Sequence, residues 1–375
     1  MRVKFKNTPE QIELIKAMGS RDPAVSRNAT EIFAAFIGPV IQQIISQAGS
    51  ANLIYRDVEY DEDDHPSIPL DLYLNEPIDY ITTWSQTIAG GLPTSQVEGN
   101  KEMKFSTYRL DTAISIQKKY ARKSRLDVWA KAIERMSQEV LLKQERNGWA
   151  VIVKALAEAS TNVLGTATRH VIQSNTDNQF ILEDLSRWMT LIRRLLSSWA
   201  SGTPEDSSGL TDIFLSPEMK QELRAFAYNP MNTRAGVTGT GGTPTGSTTA
   251  VPLPDSVREQ IFRAAGTSEI YGVTIHELLE LGIGGKYNIL FGEFAGSTQY
   301  GGASFTTASD EILIGFDLTR DAFLRPLARQ AESGSTFVAQ PDDQWPQRSD
   351  KTGLFGSLEE GRICIDSRAV TGAIV

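Results

Sequence analysis

The chain has one cysteine, Cys364, in 375 residues. That excludes an internal disulfide framework and a cysteine-built zinc site. Histidine is almost as scarce, with His65, His170 and His276 the complete set. With no Gly-x-Ser-x-Gly elbow beside them, serine-hydrolase chemistry has no evident machinery. Positive charge is in deficit, 37 basic residues against 46 acidic for a net charge of −9, so no global field draws in phosphates and a general nucleic-acid binder is disfavoured. Long apolar runs are missing too. The most apolar stretch, Ile32 to Ile45, is too short to span a bilayer and contains Gly38, Pro39, Gln42 and Gln43. Residues 1–19 mix charges among apolar residues and lack a signal-peptide core. The expectation is a soluble protein of a reducing compartment.

What is present is an ordinary globular mixture, 40% hydrophobic and 22% charged, in a length that suits two or three domains. The first fifty residues read as helix. Thr8-Pro9-Glu10 is a capping entry, Ile32, Phe33, Phe36 and Ile37 recur at helical spacing, Pro39 is expected to interrupt, and Gly49 to stop the run. From Asn52 to Ile116 the period changes to two. Ile54, Arg56, Val58 and Tyr60 alternate with polar neighbours, and Lys104–Leu110 and Ala113–Ile116 read as two more strands. Between them Ala89-Gly90-Gly91-Leu92-Pro93 supplies turn chemistry at the tip of a long β excursion.

At Ser124 the period becomes 3.6. Ser124-Arg125-Leu126-Asp127 has the form of a helix cap, and Leu126, Trp129, Ile133, Met136 and Val140 make one stripe. A helix of about 35 residues, roughly 50 Å long, is expected, with a bend at Gly148. The second half reads as mixed helix and strand. Leu185 to Trp199 is an amphipathic helix, Thr211–Leu215 a strand, and Ser216-Pro217-Glu218 the cap of another helix. Thr233–Thr249 is a Gly/Thr-rich loop, and a short helix follows Asp255. Strands are expected at Ile270–Ile275, Tyr287–Phe291, Ile312–Phe316 and Arg362–Ile365.

Several clusters invite chemistry. Asp57, Glu59, Asp61, Glu62, Asp63, Asp64 and His65 could hold Ca²⁺ or Mg²⁺, but they lack the ordered spacing and glycine of a calcium loop, so a solvated strand and turn is the favoured reading. Gly239, Gly241, Gly242 and Gly246, and Gly282 to Lys286, both fail the phosphate-loop pattern. His276 and Glu280 stand four apart without a second histidine. Cys364, in an apolar strand, reads as a buried inert thiol. Lys118, Lys119, Arg122, Lys123 and Arg125 crowd the expected start of the long helix, where positive charge is unfavourable. A solvated patch and an acidic partner surface are the two readings of that cluster.

The order of these elements resembles the major capsid protein of tailed bacteriophages with the Hong Kong 97 fold, over about residues 50–375. Phe105 to Ile116 running into Asp127–Asn147 is similar to the strand-to-spine segment. Ile213-Phe214-Leu215-Ser216-Pro217 resembles the entry to the axial domain. Tyr271-Gly272-Val273-Thr274-Ile275 and Asn288 to Phe294 resemble two of its strands. The resemblance implies an α+β fold divided into an N-terminal arm (1–50), an extended loop with flanking strands (51–117), a peripheral domain with the spine helix (118–175), an axial domain (176–350) and C-terminal strands (351–375) returning to the peripheral domain. It implies a self-assembling icosahedral shell around double-stranded DNA, with no catalysis, metal or cofactor. The copies would form pentamers and hexamers, with separate scaffolding, portal and possible decoration proteins and no membrane. Location would be the virion, assembled in host cytoplasm. The expected assembly interface comprises Asp57, Glu59, Asp61, Asp63, Gly90, Gly91, Lys101, Lys104, Lys119, Arg122 and Arg125. Lys101 and Lys104 are not assigned the covalent cross-link of some relatives. Two alternatives stay open: an encapsulin-like nanocompartment, and a metal-dependent α/β enzyme using Asp61–His65.

Overall fold

The computed structural model describes residues 8–47, 49–61, 66–69, 102–163, 166–175, 179–196, 209–228, 268–330, 335–342 and 350–375. In chain order the elements are α1 (Pro9–Met18), α2 (Pro23–Gln47), β1 (Arg56–Asp61), β2 (Ser67–Pro69), β3 (Glu102–Lys104), β4 (Tyr108–Gln117), α3 (Lys118–Arg122), α4 (Leu126–Glu158), β5 (Ser160–Val163), β6 (Thr166–Arg169), β7 (Val171–Gln173), α5 (Leu182–Leu196), β8 (Asp212–Leu215) and α6 (Pro217–Tyr228). Then come β9 (Ser268–Ile270), β10 (Val273–Glu277), α7 (Lys286–Ala295), β11 (Gln299–Tyr300), β12 (Ala303–Ser304), β13 (Ile312–Phe316), β14 (Phe323–Arg329), β15 (Phe337–Pro341), β16 (Lys351–Glu360), β17 (Ile363–Cys364) and β18 (Val370–Ile374). The class is α+β, as expected. The expected short helix after Asp255 and the loop at 233–249 lie outside the described residues.

The described residues of 1–70, 99–148 and 323–363 form one compact unit. Its sheet runs β1-β14-β16-β15, with β4 also paired to β16 and β17 to β14. β14 and β15 fall within 176–350 in sequence yet hydrogen-bond into this sheet. β1 and β14 are parallel, and β4 and β16 are antiparallel over their full ten-residue lengths. Lys104–Leu110 and Ala113–Ile116 are therefore not two strands. The ladder is unbroken from Tyr108 to Gln117, because Asp111 and Thr112 keep the alternation and β16 supplies every partner. Among the described residues β2 pairs only with β3, Ser67 opposite Lys104, and residues 70–101, which separate the two strands in sequence, lie outside the described residues.

The stripe of α4 is buried as its spacing predicts. Trp129 packs edge-on against Phe33 of α2, 5.3 Å between ring centroids, and Ile133, Met136 and Val140 join Ile37, Ile41, Phe337 and Leu358 in one core. Each such fully buried side chain contributes about 1.5–3 kcal/mol relative to exposure. Pro39 does not interrupt α2. It sits on the solvent side of the helix with Ala35, so the hydrogen bond it removes is lost where water can replace it. α4 runs on to Glu158 through Gly148. A Cβ there would meet the Ala51 Cβ at 3.0 Å, and the close approach lets the Tyr55 hydroxyl donate to the Gly148 carbonyl at 2.8 Å.

Ser124 does not cap α4. It stands at φ 51°, and its Oγ is buried without a hydrogen-bond partner among the described residues. Its N–H donates to the Ala121 carbonyl, and that of Arg125 to the Tyr120 carbonyl. This pattern closes α3 with a left-handed residue, the role that usually falls to glycine. Lys119 and Arg122 thus lie in the last turn of α3, where positive charge is favourable, rather than at the start of α4. Ser124→Gly should stabilise the protein by about 1 kcal/mol by relieving the backbone and removing the orphan hydroxyl. The midpoint of urea unfolding measures it.

The described residues of 149–322 and 364–375 form the second unit. Its six-stranded sheet runs β7-β18-β13-β8-β10-β9. β8 and β10 are parallel, as are β18 and β7. One face packs Trp188 and Ile192 of α5 and Met219 and Leu223 of α6 against Ile213, Leu215 and Ile275. On the opposite face Trp149 meets Phe214 (5.1 Å) and Tyr287 of α7 (5.5 Å).

Two expected strands differ. Ile270–Ile275 is a hairpin, with Tyr271 (φ 54°) and Gly272 (φ 78°) as its two turn residues. Tyr287–Phe291 is helical. Tyr287, Phe291 and Ala295 are buried at spacings of four, and the Asn288 side chain bonds both the Asp310 carbonyl and the Ile312 N–H. Ile289, between Tyr287 and Phe291 in sequence, is exposed.

Candidate assembly interface

β1 displays the expected acids along the edge of the first sheet. Asp57 stands opposite Arg325 in the β1–β14 register, and the buried guanidinium grips both carboxylate oxygens while donating to Asn52 Oδ1 at 2.8 Å. This charge-assisted fork satisfies Asp57 within the chain. Glu59 reaches Arg329 at 3.5 Å across two exposed side chains, a contact of little energetic weight. Asp61 is exposed at the strand end.

The expected bases have local partners as well. Arg122 donates to the Gly19 carbonyl (2.8 Å) and to Asp350 (2.9 Å), tying α1 to α3. The Lys119 ammonium lies over the Tyr120 ring at 5.1 Å, and Arg125 is 4.0 Å from Asp127. Lys104 is exposed on β3. Among the described residues no ion pair joins the β1 acids to Lys119, Arg122 or Arg125. Asp63, Gly90, Gly91 and Lys101 lie outside the described residues.

The same unit holds a buried polar centre that sequence reasoning did not find. Glu360 accepts from Tyr108 (2.8 Å), Gln144 (2.9 Å) and Arg362 (3.4 Å), and the Arg362 guanidinium lies 4.6 Å above the Tyr55 ring. Burial, then the Glu360 charge, pushes the Tyr108 phenol well above its usual range. The participants are distant in sequence, so no local motif announces them.

In the second unit, His276 bonds Asp212 at 2.7 Å and stacks on Phe214. His170 is wholly buried. Its Nε2 is 2.7 Å from Thr161 Oγ1 and its Nδ1 is 2.8 Å from the Ser367 carbonyl, and burial holds its pKa below the usual imidazole value. Among the described residues no group of three His, Cys, Asp or Glu side chains could hold a metal ion. Of the Asp61–His65 segment only Asp61 is described. Cys364 is half-buried, and burial pushes its thiol up to about 12. No described helix is long and apolar enough to cross a membrane.

Two apolar surfaces were also missed. On α2, Ile32, Phe36 and Val40 form an exposed stripe at spacings of four, on the side away from the buried Phe33, Ile37 and Ile41. Around the β10–α7 connection Leu279 is 77% exposed, Ile283 59% and Ile289 42%. Helical spacing was legible in the first case, but which of two apolar faces meets the core was not.

No family model matches the chain, and no curated protein matches it. Among solved structures, the capsid of a native GTA particle matches with a TM-score of 0.46 at 8% identity, over 87% of this chain and 90% of that one. A structure from Microbacterium phage Oxtober96 matches with a TM-score of 0.45 at 11% identity, over 88% and 91%. The mature capsid of bacteriophage PhiM1 matches with a TM-score of 0.45 at 10% identity, over 87% and 86%. All three scores lie below one half, so no function is carried over from them.

Proposed function

We propose that this chain is the major shell protein of a tailed-bacteriophage head with the Hong Kong 97 fold, its copies closing into an icosahedral capsid around double-stranded DNA. One observation carries the reading. The β2–β3 pair is followed by the ten-residue β4, which feeds through α3 into the 33-residue α4. That order supports the reading of β4 and α4 as the strand and spine of the family. The expected arm, extended loop, peripheral domain and axial domain belong to the proposal, with β14, β15 and β16 counted in the first unit and β7 and β18 in the second.

The mechanism is geometric. An excursion of this length gains burial by lying across a neighbouring copy, and weak interfaces repeated around a closed shell multiply in effect. Pentamers and hexamers are the repeating assemblies, and scaffolding, portal and decoration proteins are separate chains. The lone, half-buried Cys364 leaves shell strength to noncovalent contacts. A net charge of −9 suits a wall that encloses DNA without reading or gripping it. The role is structural, without catalysis or cofactor, in a virion assembled in host cytoplasm. Exposed Asp61, Lys104, Lys119 and Arg125 are the best placed of the expected interface residues for contact with another copy.

Negative-stain microscopy of the purified chain should reveal closed shells, and nuclease-protected DNA should accompany those recovered from cells. Small monodisperse particles would overturn the reading. Shells filled with protein instead of DNA would convert it to a nanocompartment.

A further inference from the structure

Within the first unit, α2, α4 and the strands β1, β14, β15 and β16 surround a cavity of about 110 Å³. Its wall has two chemistries. Ile45, Leu327, Phe337 and Leu358, all members of the core, give it an apolar side. Opposite in character are Asp57 and Glu59, two apart on β1, and Gln144 of α4. Gln144 is 1% exposed, and its Nε2 donates to Glu360 at 2.9 Å, outside the cavity wall. Its Oε1 has no hydrogen-bond partner among the described residues. A buried carbonyl oxygen without a donor is costly, so a group that brings one is favoured here. Gln42, also on the wall, already accepts from Ser335 Oγ at 2.8 Å.

The charges select the class of ligand. Two carboxylates, Asp57 and Glu59, against the one guanidinium of Arg325 leave the wall one negative charge in excess. Arg325 grips both Asp57 oxygens and holds that carboxylate in place. Glu59 reaches Arg329 only at 3.5 Å across exposed side chains, a contact that a ligand displaces at little cost. A metal ion would use the oxygens but gain nothing from the apolar side. A lone water would answer Gln144 and leave both the charge and the apolar side unused. A primary ammonium on a short aliphatic chain uses all three.

We propose that this cavity binds a primary alkylammonium, its N–H groups donating to Gln144 Oε1 and to Glu59 while its methylenes cover the apolar side. An apolar cavity of about 150 Å³ holds benzene, so this smaller one suits an ammonium carrying about four carbons. The site goes beyond the shell reading and does not depend on assembly. A free diamine and the lysine side chain of another polypeptide both carry the group.

The test titrates the purified full chain with putrescine and with Nα-acetyl-lysine methylamide by calorimetry. At least one should saturate a single site per chain, and the tighter of the two names the source. Glu59→Gln, a change at an exposed side chain, should weaken that probe roughly tenfold or more. Gln144→Met should weaken it too, but it also removes a donor from Glu360, so Glu59→Gln decides. Glu139→Gln, at an exposed acid of α4 outside the cavity wall, should leave binding unchanged. 1,4-Butanediol has the length without the charge, and ammonium chloride the charge without the stem; each should bind roughly tenfold more weakly or less. No saturable binding of either amine would overturn the proposal. So would amine binding that survives Glu59→Gln, or ammonium chloride or butanediol binding as tightly as the amines.

Discussion

Replacing Glu360 with alanine should cost about 3–5 kcal/mol of folding stability. Glu360 and Arg362 are almost completely buried, with side-chain exposures of 0% and 1%. Removing the carboxylate leaves the guanidinium in the interior with no counter-charge in hydrogen-bonding distance among the described residues. Its Nε and Nη1 already lack hydrogen-bond partners among the described residues. Tyr108 and Gln144 lose their acceptor in the same step. The cost comes mainly from the stranded charge and not from any large net strength of the pair. Replacing both partners, Glu360→Met with Arg362→Met, should therefore recover much of the loss. Urea midpoints of the two variants decide the matter. A double variant as unstable as the single one would mean that the network itself, with its tyrosine and glutamine, holds the first unit together.

Glu311→Gln should stabilise the second unit above neutral pH, by up to about 3 kcal/mol. The Glu311 carboxyl is buried, and its Oε1 has no hydrogen-bond partner among the described residues. Burial raises its pKa from 4.5 to about 7, with repulsion from Glu218 and Glu222 adding to the effect and hydrogen bonding to Ser216 opposing it. Since the folded value lies above the unfolded one, its contribution is fully present below pH 4.5 and is lost as pH rises through 7. The wild type and Glu311→Gln should converge near pH 4.5 and separate by pH 8. His170 acts in the other direction, because its folded pKa is lowered. Its contribution is complete above pH 6.5 and is lost as pH falls. Subtracting the Glu311→Gln profile from the wild-type profile removes the histidine slope and isolates the glutamate. A difference that is flat from pH 4.5 to 8 would refute the assignment.

Much of the fold was legible where one residue period governed a long segment. The stripe Leu126, Trp129, Ile133, Met136, Val140 gave α4, and Leu185, Trp188 and Ile192 gave α5, because an element with a single buried face repeats its constraint every turn. Errors came where two constraints overlapped. Pro39 lies on a solvent face that tolerates it. Ser124 looks like a cap but ends the preceding helix. Tyr287 to Phe291 alternates for three positions, while the burial of Tyr287, Phe291 and Ala295 obeys a helical period.

The candidate interface divided along similar lines. Runs of like charge at 57–64 and 118–125 stood out in sequence, but Asp57 and Arg122 proved to have partners in Arg325 and Asp350, hundreds of positions away. The exposed Leu279 and Ile283 gave no sequence signal, because a leucine in a turn looks the same whether the fold covers it or not.

By itself the sequence determined a mixture of helix and strand, the long helix, the lack of a disulfide framework and an acidic chain, since composition and periodicity are properties of each segment alone. Only the tertiary structure decided that β14 and β15 join the first sheet, that Glu360 and Arg362 meet in its interior, and which apolar side chains remain exposed. Those outcomes depend on which distant segments share hydrogen bonds and buried surface, and that pairing is fixed by the packed whole.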